Sequence, residues 1–286
     1  MGHGAGWVAL ALAAASSAPP AKLSLRLAAR AQQPGELVLL TIQEPPGAGV
    51  PVVTAFGRER PVFAAGKGRW RALVGIDLEV APGTYPITVD VPAEGGPLQA
   101  SVALHVKAKT FPVRALQVDE AFVEPPAEVQ ERIAREAEEL KAIFATMGPE
   151  RLWADGFLAP VAQQANSRFG SRSVFNGQPR SPHTGADFPS PAGTPVRAPG
   201  AGRVVLARPL YFAGNAVLLD HGLGLFSLLA HLSAIDVKEG RDVARGEVVG
   251  RVGATGRVTG PHLHWAVRLG EARVDPLSLL FVLGRK

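Results

Sequence analysis

Glycine and proline interrupt this chain so often that few stretches can run long enough to form a helix. It has 32 glycines and 25 prolines in 286 residues. In a helix interior they cost roughly 1 and 3 kcal/mol against alanine, so the short apolar runs between them read as strands. Runs at 23–27, 36–42, 69–74, 85–91 and 100–106 are separated by turn residues, with Pro82-Gly83 leading into the run that holds Tyr85. Period-two alternation at such intervals predicts a small antiparallel β-sandwich over 22–109. His105 falls in one of these strands without a metal-binding type of residue nearby, and reads as structural. Nothing else in this part suggests chemistry, so it reads as a spacer or docking module.

One stretch has helical character. Pro125-Pro126 opens it, and Val129, Ile133, Ala137, Leu140 and Phe144 form an apolar stripe at spacings of three and four before Gly148. Glu128 with Arg132, and Glu131 with Arg135, are spaced for ion pairs on the exposed side. The stripe is too short for a coiled coil, so 110–150 is expected to be a helical linker that packs on a domain. From 157 to 286 short strands return, at 196–198, 203–207, 216–219, 225–229, 247–252 and 262–268, with no long helix pattern. The expected fold is mostly β: an N-terminal antiparallel β-sandwich, a helical linker and a C-terminal, strongly curved antiparallel β-sheet.

Length and a 47% hydrophobic content allow two ordinary cores. Beyond the N-terminus no run approaches the roughly 20 apolar residues that span a bilayer, so stable membrane insertion is not expected. Residues 7–15 are apolar and lead to Ser16-Ser17-Ala18, which reads as a signal peptide over 1–18 and as export to the periplasm or cell envelope, although Lys and Arg are missing before Trp7. With no cysteine, disulfides and thiolate ligands are excluded, and a transition metal must be held by imidazole and carboxylate. From Arg151 onward 16 Lys+Arg stand against 9 Asp+Glu, with 14 against 16 before it. In an exported protein such a half suits a polyanionic wall polymer better than nucleic acid. Oligomeric state is not written in the sequence.

The C-terminal part also holds most of the histidines. In His262-Leu263-His264-Trp265-Ala266-Val267, strict alternation puts Leu263, Trp265 and Val267 on one face of a strand and both histidines on the other, about 7 Å apart along the chain. That arrangement suits one metal ligand and one catalytic neighbour. His183 and Asp187 would lie about 13 Å apart in a flat strand, too far for one ion, and Pro182, Gly185 and Pro189 oppose a helix. The segment is expected to curl, with Gly185 permitting it. His264 would then complete three N/O donors and leave a fourth position for water, as catalytic zinc sites do. His221, in Asp220-His221-Gly222, reads as a hairpin turn.

From about 166 to 280 the chain resembles the lysostaphin-type, LytM-like zinc metallopeptidases, peptidoglycan DD-metalloendopeptidases. The resemblance rests on Phe169-Gly170, Pro182-His-Thr-Gly-Ala-Asp-Phe188, Gly193-Thr-Pro-Val-Arg-Ala-Pro199, Asn215-Ala-Val-Leu-Leu-Asp-His-Gly222, Ala230-His231-Leu232 and Gly253-Ala-Thr-Gly-Arg-Val-Thr-Gly-Pro-His-Leu-His264. It implies one zinc ion held by His183, Asp187 and His264, with His231 and His262 as catalytic groups flanking the activated water. It implies peptidoglycan stem peptides and cross-links as substrate; D-alanine to diaminopimelate cross-links are expected rather than glycine bridges, because no recognisable glycine-bridge targeting domain follows this region. Leu229 stands where members often carry tyrosine, a change expected to alter a groove wall at most. Two other readings compete. One is a non-enzymatic wall-binding protein or activator of a wall amidase, as relatives that have lost ligands are. The other is a wall adhesin whose sandwich does the work.

Overall fold

The computed structural model describes residues 22–94, 96–117, 125–166 and 169–284. The expected leader over 1–18 lies outside them. Eight strands come first: β1 (Ser24–Ala29), β2 (Leu37–Gln43), β3 (Val52–Ala55), β4 (Arg58–Arg60), β5 (Val62–Ala64), β6 (Arg69–Gly75), β7 (Gly83–Val91) and β8 (Leu98–Val106). They form two antiparallel four-stranded sheets, ordered β1-β2-β6-β5 and β4-β3-β7-β8. Val38, Leu40 and Ile42 of the first sheet share a core with Val53, Ile87, Val89 and Leu104 of the second. Strands β3, β4 and β5 were not anticipated. Phe56 and Gly57 join β3 to β4 with φ of 52° and 70°, the left-handed pair that a two-residue hairpin turn requires.

Within the first sheet, β2 and the end of β6 are buried on both faces, while the outward positions of β1 stay exposed. Leu37 and Leu39 of β2, with Phe63 and Leu73, point away from the sandwich core into the core of the C-terminal part, beside Trp265 and Leu279. The spacer reading therefore needs correction, because the N-terminal sheet supplies part of the C-terminal core. Polar contacts fix the seam. Arg30 bridges Glu36 at 2.7 Å and Asp275 at 2.6 Å, and the Leu37 amide donates to Ser278 Oγ at 2.8 Å.

A strand β9 (Val113–Leu116) precedes helix α1 (Ala127–Ala145). In α1, Leu140, Ile143 and Phe144 pack on Leu206, Leu210, Leu218 and Phe226. Ala137, placed on the apolar stripe by spacing, is exposed, while Glu136 is buried in that part of the helix. The Glu136 carboxylate accepts from the Tyr211 amide at 2.8 Å and from Arg132 Nε at 2.7 Å. Arg132 thus pairs forward with Glu136, and the described ion pairs include neither Glu128 with Arg132 nor Glu131 with Arg135.

The remaining strands are β10 (Arg172–Phe175), β11 (Gln178–Pro179), β12 (Gly185–Phe188), β13 (Pro195–Arg197), β14 (Gly202–Leu210), β15 (Gly214–Asp220), β16 (Leu225–Ile235), β17 (Asp242–Val243), β18 (Val248–Val252), β19 (Leu263–Leu269) and β20 (Ala272–Val274). Nine of them make one antiparallel sheet whose central path runs β12-β19-β16-β15-β14-β17. Strands β9, β10 and β11 form a small separate sheet, with β9 parallel to β10. A short helix α2 (Pro276–Leu283) closes the described chain, capped by the Asp275 carboxylate, which accepts from the Leu277 amide at 3.0 Å. No helix among the described residues is long and apolar enough to cross a membrane.

Candidate metal centre

Antiparallel pairing of β12 with β19 sets Asp187 opposite His264, and pairing of β16 with β19 sets Ala230 opposite His264. As the alternation predicts, Leu263, Trp265 and Val267 are fully buried on the far side. His264 is therefore held upright on an open face by a core that does not depend on it. His183 lies just before β12, where its amide donates to the Ser171 carbonyl at 2.9 Å, and the chain bends there to bring its ring back over Asp187.

Three donor atoms meet. His183 Nε2 lies 3.0 Å from Asp187 Oδ1 and 3.0 Å from His264 Nδ1, and His264 Nδ1 lies 2.9 Å from the same Oδ1. One proton can bridge only one pair of these atoms at a time, so the triangle is poorly explained as hydrogen bonding alone. It fits a cation. A tetrahedral ion with bonds of about 2.0–2.1 Å spaces its ligand atoms about 3.3–3.4 Å apart, close to what is seen. Burial by itself would raise the Asp187 pKa, but hydrogen bonds from His183 and His264 outweigh it and hold the carboxyl well below its usual range. Burial pushes His264 down, with the His183 charge adding to it and Asp187 opposing. Both shifts favour the deprotonated forms that a metal needs.

Gly185 has a different purpose from the one expected. It is already in the strand, paired with Ala266, and the bend precedes it. A Cβ there would sit 2.5 Å from His264 Cε1 and 2.5 Å from the Trp265 carbonyl oxygen, so glycine makes room for the His264 ring. Gly185→Ala is expected to destabilise the fold by about 1–3 kcal/mol through overpacking and to weaken metal binding at least tenfold, read by thermal melting and metal titration. An alanine variant with unchanged melting and metal affinity would contradict this account.

Two further imidazoles flank the triangle. His231 Nδ1–H donates to the Thr255 carbonyl at 3.0 Å and His262 Nδ1–H to the Gly260 carbonyl at 2.9 Å. Each ring thereby keeps Nε2 unprotonated when neutral. Their centroids are 4.9 Å apart, and His262 Nε2 is 3.9 Å from Asp187 Oδ1. Burial, helped by the neighbouring His264 charge, lowers the His231 pKa to about 4. His231 has φ of 64° at a register shift in the pairing of β16 with β15. That extra residue lets His231 join Ala230 on the open face while Leu232 returns to the core. The Thr255 carbonyl, a partner not identified from sequence, is positioned by its own hydroxyl, which donates to the Leu232 carbonyl at 2.8 Å and accepts from the Asn215 amide at 2.9 Å.

All five residues line one groove of about 520 Å³, walled by Ser173, Phe175, Phe212 and Arg257 among others. Helix α1 is not among its lining residues, so its described part does not cover the groove. Leu229 does not line it either. It is fully buried in the core, opposite Trp265, which corrects the expectation of a changed groove wall. His221 is more than a turn residue: it is fully buried, its ring bonding the Ala201 carbonyl and Ser227 Oγ at 2.9 Å each. Burial lowers its pKa to about 4, as suits a neutral core residue. His105 is exposed, with Nδ1 3.1 Å from Thr84 Oγ1.

Fold and site together define a class: a mostly β protein of metallopeptidase type, with its donor set on the open face of an antiparallel sheet. Residues 181–276 match the model of peptidase family M23. A crystal structure from Pseudomonas aeruginosa assigned to peptidase M23 superposes with a TM-score of 0.66 at 35% identity, over 88% of this chain and 96% of that one. This chain belongs to peptidase family M23. Among curated relatives, the DD-carboxypeptidase/endopeptidase Mpg of Neisseria meningitidis serogroup B is 47% identical over 97 residues, 34% of this chain and 22% of that protein. The peptidoglycan DD-endopeptidase ShyA of Vibrio cholerae is 51% identical over 84 residues, 29% of this chain and 20% of that protein. The matches thus span about a fifth of these curated relatives.

Proposed function

We propose that this protein is a zinc-dependent endopeptidase that hydrolyses peptide cross-links of bacterial peptidoglycan, acting in the periplasm or cell envelope. The observation that carries the reading is the triangle of His183 Nε2, Asp187 Oδ1 and His264 Nδ1, all within 3.0 Å of one another on the floor of an open groove. These three residues would hold the ion. A zinc bound there supplies a water whose pKa falls to about 7 and polarises the scissile carbonyl. His231 and His262 do the proton work at Nε2. A neutral ring accepts a proton there, and once protonated the same atom donates to the oxyanion or to the departing amine. The carbonyls of Thr255 and Gly260 hold the Nδ1 protons throughout, so neither ring has to change tautomer before it acts.

The substrate class comes from the named relatives, both DD-acting, and D-alanine to diaminopimelate cross-links are the bond we assign. Excess basic charge in the C-terminal part is consistent with an anionic wall polymer. The test is digestion of purified sacculi by the zinc-loaded protein, read by mass spectrometry of the released muropeptides. Cross-linked dimers should become monomers, the conversion should stop with a chelator, and added zinc should restore it. Dimers left intact by protein carrying one zinc per chain would overturn the proposal.

A further inference from the structure

A second cavity, of about 420 Å³, lies at the seam between the N-terminal sheets and the large sheet. Arg58, Arg60 and Asp77 line it from one side, Arg268, Glu271 and Arg273 from the other. Four guanidinium groups thus face two carboxylates, and both carboxylates are committed. Asp77 accepts from the Arg273 amide, Nε and Nη2 at 2.8, 2.9 and 2.5 Å and from the Glu79 amide at 3.0 Å. Glu271 pairs with Arg58 at 2.9 Å.

Arg60 and Arg268 are left over. Among the described residues neither makes a salt bridge. Arg60 Nη2 donates to the Ala55 carbonyl at 3.1 Å, and its Nε is buried without a partner. Arg268 Nη1 donates to the Glu271 carbonyl at 3.1 Å, and the group stacks 5.1 Å from the Phe144 ring centroid. Burial lowers the pKa of both, with Arg58 adding to it at Arg60 against the pull of Glu271, and Arg273 adding to it at Arg268 against that of Asp77. Of these donors Arg60 Nε alone is buried without an acceptor, a kind of group that is rare in native proteins and that a missing ion or water commonly explains.

We infer that this interdomain cavity is an anion site for a phosphoryl group, which Arg60 and Arg268 bind from opposite walls. A carboxylate presents two oxygens in one plane and suits a single guanidinium fork. A phosphoryl group carries more than one negative charge and at least three oxygens in a tetrahedral array, and so can answer two forks at once. The site is built from both halves of the chain, so its occupant would also tie them together.

The test uses the full-length, zinc-loaded protein with inorganic phosphate at about ten times its dissociation constant, against sodium chloride of equal ionic strength. Phosphate should raise the melting temperature by about 2–3 °C. Arg60→Gln and Arg268→Gln should each abolish that rise and weaken phosphate binding in calorimetry at least tenfold, while melting in chloride stays near the parent value. Phosphate binding retained in both variants would place the anion elsewhere, the metal centre included, and overturn the inference. So would its absence from the parent. If one variant fails to fold, the other decides. A parallel arm separates sources: sedimentation with vesicles containing phosphatidic acid, a phosphomonoester lipid, but not with phosphatidylcholine vesicles, dependent on Arg60, assigns the phosphoryl group to a lipid headgroup. Phosphate binding without vesicle binding assigns it to a soluble phosphate.

Discussion

Replacing His264 by alanine is expected to strip zinc from the protein and to lower turnover of cross-linked muropeptides by about 10⁴-fold or more, leaving the fold in place. His264 Nδ1 touches both other donors of the triangle, so its loss leaves two ligands on one edge with nothing to close the third. Loss of an outer-shell partner costs a metal site roughly 10–100-fold in affinity, and loss of a ligand should exceed that. The fold survives because Leu263 and Trp265, on either side, are buried on the opposite face. Metal content by mass spectrometry and near-ultraviolet circular dichroism check the two halves of the expectation separately. A variant that still carried one zinc per chain would refute the assignment of His264, whatever its activity.

The sequence carried the centre of this molecule better than its seams. Alternation in 262–268 was enough to place His262 and His264 on an open face, because period two in a strand is a geometric rule. Convergence of His183 and Asp187 followed from what prolines and a glycine forbid, yet the reason for Gly185 lay in a contact with a ring 79 positions away, which local reasoning cannot see. The run at 36–42 held a signal that was passed over. Leu37, Val38, Leu39 and Leu40 do not alternate with polar residues, and an unbroken apolar strand means that both faces are covered. Strands β3 to β5 are three or four residues long, too short for periodicity to declare them. Helix α2 is also short and the sequence reading placed no helix there, although Asp275-Pro276 is a helix-start pair. Ala137 went astray because apolar spacing cannot foresee that a buried glutamate will take the inward position to meet the Tyr211 amide.

His262→Ala and His231→Ala separate proton transfer from metal binding. Each is expected to retain zinc and lose about 10²- to 10⁴-fold in turnover, the usual contribution of a positioned acid or base. Neither Nε2 belongs to the donor triangle, and both rings are anchored to carbonyls through the opposite nitrogen. If the two rings serve one proton path, the double variant should lose less than the product of the single losses, since groups that act as a unit are not additive. His231 needs a further control, because it is largely buried and sits at φ of 64°, so a loss of stability must be separated from a loss of proton transfer. His231→Gly removes the left-handed strain, about 1–2 kcal/mol, which offsets lost ring contacts. A purely structural His231 would let that variant turn over near the parent rate, whereas a proton-transferring one leaves it as impaired as His231→Ala, with zinc still bound.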